Sequence, residues 1–235
     1  MLYAALVSDD LSRPPPPAGT ALGHALGDPA ARCLLRRAQG AFQKWPEGFA
    51  GFRASVACET PRGLVNGQVT VAPPDRVDVT CDDLDLRTCL RDMLWSITVD
   101  RTPRFFDEGD GRFPISFGDG HDDALGRPVN VLARLGECRY WIDGSARIRQ
   151  VERIARGLRV VTTFEAFTRA TPGRILPAQT TTRTWDAASG ALLSSESVHD
   201  GHRRIEHVWL PSTRRISGNP GGAPLVISLD EHKLL

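Results

Sequence analysis

Residues 180–197 read TTTRTWDAASGALLSSES, and this stretch decides the fold class. Side chains alternate up to Trp185, a turn around Gly190 follows, and a second alternating run starts at Ala191. Alternation with a period of two is typical of a β-strand, and two such runs joined by a glycine turn predict a β-hairpin.

The same pattern extends over most of the chain. Further alternating runs lie between residues 52 and 81 and between residue 129 and the C-terminal end, with one predicted turn at Asp200-Gly201. Antiparallel strands joined by tight turns need no crossover helices, and a wide sheet of such strands twists and curls. We therefore predict an antiparallel sheet of about ten strands, shaped as a half-barrel or open barrel that could leave a cavity.

Two helices are predicted near the N-terminal end, which makes the fold class α+β. Asp28 can cap the first helix with Pro29 at its first position, and the apolar pattern ends before Pro46. Asp82 or Asp83 can cap the second helix, whose apolar residues recur at helical spacing. Such helices are expected to pack on the sheet or inside its curl.

The first residues have a different composition. Residues 1–27 contain PPPP at positions 14–17 and several glycines, which predicts an extended arm that could contact a protein partner. Residues 28–235 are expected to form a single domain.

Composition excludes some classes of function. The net charge is +1, so no global field attracts nucleic acid or a membrane. Lys44 and Lys233 are the only lysines among 29 basic residues; the rest are arginines, whose planar donors suit anionic groups. The five cysteines form no CxxC pair and no signal peptide is recognisable, so a reducing cytoplasm is expected.

The chain resembles an uncharacterised bacterial and plastid family, domain of unknown function 3386. The resemblance rests on WPEGFAGFRASVACETPRGLVNGQVTV at residues 45–71, and on a strand ending in Trp185-Asp186, a glycine turn and a later strand with Leu210-Pro211. It covers roughly residues 30–217 and implies a curled sheet similar to the half-barrels of lipoprotein carriers. It implies no activity and supplies no catalytic residues. The proline-rich arm and residues 102–126 depart from the family pattern.

Those residues, 102–126, form an acidic stretch that predicts an irregular loop with a short strand near residues 113–117. Seven acidic or histidine side chains, His121 among them, lie within it and could bind a hard cation. Their spacing matches no established calcium loop, so a solvated loop is the favoured interpretation and no metal site is predicted.

Two further groups are candidates for chemistry. His202 and Glu206 share one face if residues 202–210 form one strand, and such a pair could relay a proton. Around the turn at Asp143-Gly144, arginines and aromatic residues could line a pocket for an anionic ligand if they point into the curl, or form ordinary surface if they point outward. The ligand-binding candidates there are Arg139, Tyr140, Trp141, Arg149 and Arg153.

Two functions therefore remain open. The first is a cytoplasmic domain that binds an anionic or amphipathic small molecule. The second is an enzyme of an actinobacterial secondary-metabolite pathway, a lyase, cyclase or hydrolase, possibly a subunit of a hetero-complex, with His121, His202 and Glu206 as catalytic candidates. No motif for a nucleotide, a metal or another cofactor occurs, so none is expected.

Overall fold

The computed structural model describes residues 27–119, 124–133, 136–218 and 224–235. The predicted arm up to residue 26 and the catalytic candidate His121 lie outside the described residues.

Both predicted helices form, and each begins at the predicted cap. Helix α1 (Pro29–Gly40) starts after Asp28, whose Oδ1 accepts a hydrogen bond of 2.7 Å from the Ala30 amide. Helix α2 (Leu84–Arg101) starts after Asp83, whose Oδ1 accepts one of 2.9 Å from the Leu86 amide. These aspartates satisfy amide groups that have no partner within the helix.

Twelve antiparallel strands form a single open sheet among the described residues, somewhat more than the predicted ten. The sheet order is β3-β2-β1-β12-β11-β10-β9-β8-β7-β6-β5-β4, so β3 and β4 are its edges. The strands are β1 (Phe52–Thr60), β2 (Gly63–Ala72), β3 (Arg76–Cys81), β4 (Ile115–Phe117), β5 (Arg127–Ala133), β6 (Gly136–Ile142), β7 (Ile148–Ala155), β8 (Leu158–Thr171), β9 (Arg174–Asp186), β10 (Leu192–Ile205), β11 (Val208–Ser217) and β12 (Leu225–Leu234).

The predicted turn at Asp200-Gly201 is wrong. Strand β10 continues through both residues, with a bulge between Gly201 and His202, and the chain reverses only at Glu206, which has a φ of +52°. A Cβ on Gly201 would lie 2.2 Å from the Thr213 hydroxyl. The glycine therefore serves close packing at a bulge rather than a turn.

The two helices lie on the same face of the sheet and build two separate hydrophobic cores. Helix α2 packs through Leu90 and Leu94 on β1, β2, β3, β11 and β12. Helix α1 packs through Leu35 and Ala38 on β4 to β7. Neither core includes a residue of the segments 180–184 and 194–200, in the middle of β9 and β10.

The width of the sheet explains this division. Twelve strands spaced about 4.8 Å apart span roughly 50 Å, whereas a helix with its side chains is about 10 Å wide. Two helices cannot cover such a face, so the strands between them stay uncovered by either helix.

The helix side is the concave side of the curl. Arg153 of β7 and Arg214 of β11 lie four strands apart, yet both act electrostatically on the carboxylate of Asp100 on α2. Side chains so far apart converge on one group only when the face bends around it.

Side chains hold β11 where its pairing with β12 stops. The two strands pair only between residues 213–216 and 225–228. Nearer the start of β11, before residue 213, the Trp209 carbonyl accepts hydrogen bonds from the Arg101 guanidinium at 2.8 Å and from the Trp45 indole at 3.1 Å. The Arg101 guanidinium lies 5.7 Å from the Trp45 ring centre, and burial lowers the pKa of Arg101 to about 10. This contact fixes the C-terminal end of α2 to the sheet.

We expect Arg101→Ala to lower the free energy of unfolding by about 2–4 kcal/mol, because it removes a charged hydrogen bond and a cation–π contact from a site that is 6% exposed. Arg91→Ala, on the exposed side of the same helix, should change it by less than about 0.5 kcal/mol. Urea unfolding followed by circular dichroism measures both. Equal effects of the two changes would contradict the role given to Arg101.

Candidate ligand trough on the concave face

The strip of the concave face between the two cores is lined mainly by hydroxyl-bearing side chains. Directly paired residues lead from the α1 core through Val151 and Thr162 to Thr182 and then to Glu196. We call this strip the trough. Its side chains are Thr162, Thr180, Thr182, Thr184, Ser194, Glu196 and Val198.

The trough is polar although parts of it are nearly inaccessible. Thr184 is 2% exposed and Thr162 is 6% exposed, and the Thr162 and Thr182 hydroxyls lie 3.1 Å apart. A threonine presents both a methyl group and a hydroxyl group, so such a surface can contact apolar and polar parts of a ligand. The alternation of Thr180, Thr182 and Thr184 in the sequence is the signal for this surface. Ser194 lies opposite Thr184 on the concave face.

One end of the trough is closed by the connector of residues 41–45, which follows α1. The Gln43 amide donates to the Ile175 carbonyl at 2.8 Å, and the Trp45 amide donates to the Arg101 carbonyl at 2.8 Å. The connector therefore crosses from the start of β9 to the end of α2.

An aromatic cluster lies where the connector meets the sheet. The ring of Phe42 lies 5.7 Å from that of Phe164 and 6.2 Å from that of Phe167, and the two β8 rings stack at 6.1 Å. This cluster gives the closed end an apolar surface.

Cationic groups surround Asp100 near this end. Lys44, Arg104, Arg153 and Arg214 all act on the Asp100 carboxylate. Burial raises the pKa of Asp100 and Lys44 opposes this, while burial also lowers the pKa of Lys44. By its solvent accessibility, Asp100 is nevertheless an exposed residue.

Arg214 is neutralised within this group. Its guanidinium forms a two-point ion pair with Asp200, with distances of 2.6 and 2.7 Å. Cations nevertheless outnumber carboxylates around Asp100, so this part of the cavity favours an anion.

A hydrogen-bond network borders the trough on the α1 side. The Tyr140 hydroxyl donates to Asp110 Oδ2 at 2.6 Å, and the Gln39 amide donates to the same oxygen at 2.5 Å. Burial and the nearby Asp110 carboxylate raise the pKa of Tyr140 well above its ordinary value. Tyr140 is therefore a positioned hydrogen-bond donor rather than a base.

Two histidines bridge places where neighbouring strands stop pairing. His202 Nε2 lies 2.8 Å from the Pro177 carbonyl, and His232 Nε2 lies 2.9 Å from the Pro211 carbonyl. Because a carbonyl can only accept, Nε2 carries the proton in both rings, and each Nδ1 is buried with no hydrogen-bond partner. Burial lowers the pKa of both histidines. The contacts of His202 are therefore structural.

The predicted His202–Glu206 pair does not form. Glu206 lies in the turn between β10 and β11, its side chain is 70% exposed, and its nearest charged neighbour is His207 at 3.9 Å. The prediction assumed an unbroken strand over residues 202–210, and the turn at Glu206 breaks it.

The structure separates the predicted ligand-binding residues. Tyr140 and Arg153 lie on the concave face, on adjacent strands. Arg139 lies on the convex face, where its guanidinium donates to Asn130 Oδ1 at 2.8 Å and lies 5.8 Å from the Trp141 ring centre. Arg149 is the extra residue at the bulge on β7, and its guanidinium lies 5.6 Å from the Phe167 ring centre.

Arg139 and Arg153 lie on opposite faces of the sheet. Asp143-Gly144 belongs to a longer turn in which Ala146 has a φ of +57°, and a register shift follows on β7. Arg153 therefore pairs with Cys138 rather than with Arg139, and the outward alternative holds for Arg139 and Trp141.

The described residues also bear on metal binding and on membrane-spanning helices. No three metal-ligating side chains come together among the described residues, and this leaves out residues 120–123 of the acidic loop. No helix in the described part of the chain has the length and apolarity to cross a bilayer.

Comparisons with known proteins are consistent with the resemblance seen in the sequence. The profile of a protein family of unknown function, DUF3386, matches residues 27–235. No curated protein matches the sequence significantly.

Among solved structures, the chain is similar to a LolA superfamily protein from Nitrosomonas europaea, with 13% identity, a TM-score of 0.35, and coverage of 87% of this chain and 93% of that one. It is also similar to a putative outer membrane lipoprotein-sorting protein domain from Vibrio parahaemolyticus, with 9% identity, a TM-score of 0.33, and coverage of 87% and 92%. A complex of MucA and MucB from Pseudomonas aeruginosa gives 10% identity, a TM-score of 0.27, and coverage of 85% and 93%.

We expect the free energy of unfolding to fall as the pH drops below about 6.5, the value for an unperturbed histidine. The pKa values of His202 and His232 are lower in the folded state than in the unfolded chain. The unfolded chain therefore binds protons first, and stability is lost as the pH falls toward and through the folded-state pKa values. The double change His202→Gln and His232→Gln keeps an N–H donor and should flatten this dependence, measured by urea unfolding at a series of pH values.

The control is His199→Gln, an exposed position on the same strand as His202, which should leave the pH dependence unchanged. If the unfolding free energy of the double variant depends on pH as steeply as that of the wild type, the role given to the two histidine rings is wrong.

Proposed function

We propose that this chain, which belongs to the DUF3386 family of proteins of unknown function, is a binding domain that holds an amphipathic, anionic small molecule in the trough. The observation that carries the proposal is the hydroxyl-lined strip that lies between the two hydrophobic cores and belongs to neither of them. A concave surface that neither helix fills is the usual place for a small-molecule ligand.

The two ends of the ligand follow from the lining. The anionic group is placed near Asp100, where Lys44, Arg104 and Arg153 provide positive charge. The apolar part is placed along the threonine methyl groups and against the rings of Phe42 and Phe164. Because the connector closes this end, the ligand is expected to enter from the opposite end of the strands.

Two of the three residues that motivated the enzyme alternative do not form the predicted pair. His202 is held by a backbone carbonyl, Glu206 lies in an exposed turn, and His121 is outside the described residues. Binding is therefore the function that the geometry supports best.

We also propose that the protein works in a reducing compartment, because its cysteines form no disulfide among the described residues. Cys33, Cys58, Cys81, Cys89 and Cys138 are all free thiols. Burial raises the pKa of Cys58 to about 12 and is also the main cause of the raised pKa of Cys89 and Cys138. Cys58 and Cys138 are buried and Cys89 is half-buried, and a raised pKa keeps all three as poorly reactive thiols.

We expect Thr182→Trp to weaken ligand binding by at least about tenfold, because the indole would fill the middle of the trough. The probe is the amphipathic anion anilinonaphthalene sulfonate, titrated by fluorescence, together with mass spectrometry of molecules that copurify with the protein. The matched control is Arg183→Trp, which places the same side chain on the convex face of the same strand and should bind as the wild type does.

Thr182→Val keeps the shape of the side chain and removes only its hydroxyl, and it should keep the affinity within about threefold; circular dichroism shows whether the tryptophan variants are folded. Equal binding by the two tryptophan variants would contradict a site in the trough.

A further inference from the structure

A second concave feature lies beside the connector, outside the trough. Three segments that are distant in sequence form it: residues 45–49, the turn between β2 and β3, and the residues that follow α2. Together they line a groove of about 380 Å³, within the range of protein sites that bind small ligands. We call it the aromatic groove. Its apolar lining consists of Trp45, Pro46, Phe49, Pro73, Pro74 and Phe105, with Pro103 beside them.

The aromatic groove presents ring-shaped apolar side chains to its surroundings. Phe105 at its edge is 71% exposed, more than any other large hydrophobic side chain in the described part of the chain. Phe49 is half-buried, and its ring lies 5.2 Å from that of Trp45 on the floor. Grooves lined by aromatic rings are a recurring site for polyproline segments, which lose little conformational entropy on binding. The lining therefore predicts a proline-rich occupant.

The chain itself contains a segment of this kind. Four consecutive prolines occupy positions 14–17, directly after Arg13, and they lie outside the described residues. The described lining of the groove includes two exposed carboxylates, Glu47 and Glu108, but one cation, Arg104. Its net negative charge complements the arginine that precedes the prolines.

The direction of the chain at Gly27 leads toward the aromatic groove. Gly27 pairs with Ile115 in parallel, so the residues before Gly27 approach from the same side as the residues before Ile115. Those residues lead back through two short 3₁₀ turns, Phe106–Glu108 and Asp110–Arg112, to Phe105 at the edge of the groove.

The number of residues is also sufficient. The prolines end at residue 17, as many positions before Gly27 as Phe105 lies before Ile115. The path from Phe105 to Ile115 includes two 3₁₀ turns, which rise only about 2.0 Å per residue, whereas an extended chain covers about 3.3 Å per residue. A segment of equal length that starts beside Ile115 can therefore reach the groove.

We propose that residues 14–17 of this chain dock in the aromatic groove as a polyproline segment, with Arg13 beside the carboxylates of the groove. Docking would cover Phe105 and would link the connector to the end of α2 through their shared contact with the prolines. The inference rests on the groove and on the direction of the chain at Gly27, so it does not depend on a ligand in the trough.

The first experiment compares the full-length chain with a variant in which all four prolines at 14–17 are changed to serine. Thr102 lines the groove, so its methyl NMR signal should shift in the serine variant, whereas that of Thr88, exposed on α2, should not. The shift should be independent of protein concentration, because groove and prolines belong to one chain. An unchanged Thr102 signal overturns the proposal, and so does a shift seen only at high concentration, which indicates a second copy.

The second experiment titrates a fluorescent peptide of residues 10–18, DLSRPPPPA, into both full-length chains. The serine variant should bind the peptide at least about tenfold more tightly than the wild type, whose own prolines compete at an effective concentration in the millimolar range. Phe105→Ala in the serine variant should then weaken binding at least about tenfold, because it removes an aromatic ring from the groove.

The matched control is Leu84→Ala in the serine variant, which removes a side chain of similar exposure, 69%, from the opposite end of α2 and should leave peptide binding unchanged. Both side chains are exposed, so neither change is expected to unfold the protein. The proposal is contradicted if the serine variant does not bind the peptide, if it binds no more tightly than the wild type, or if the two alanine changes have equal effects.

Discussion

A sheet of twelve strands is roughly 50 Å wide, and two helices cannot cover it. This constraint organises the molecule. Each helix buries its apolar side on one flank of the concave face, Leu35 on one side and Leu90 on the other, and the strands between them must present side chains that tolerate water. Threonines with intermediate or low exposure meet this requirement, and they create a surface that a ligand can share.

The open shape also requires side chains to replace missing strand pairing. Where β11 and β12 separate, Arg101, Trp45 and His232 bond to carbonyls of β11, and His202 bonds to the carbonyl of Pro177 on β9. Each carbonyl would otherwise lack a partner in a partly buried place, at a cost of about 1–3 kcal/mol. The same polar residues therefore bridge the gaps between neighbouring strands of the curl.

Much of the fold was predictable from local signals. The caps at Asp28 and Asp83 fixed both helix starts, and the alternating runs fixed the antiparallel sheet. The faces of β6 and β7 were not predictable, because the register depends on the length of the turn after Ile142 and on a bulge that no residue type marks.

For the same reason, the site was predicted only in part. Tyr140 and Arg153 were identified, whereas Lys44 and Asp100 were missed, because only the fold brings the connector and the end of α2 together with the sheet. The most direct test uses threonine methyl NMR signals and a fatty acid that carries a nitroxide spin label. The account predicts that the label broadens the methyl signals of Thr162, Thr180, Thr182 and Thr184, while those of Thr163 and Thr181 on the convex face stay sharp. Equal broadening of both sets, or broadening of the convex set alone, would contradict a ligand in the trough.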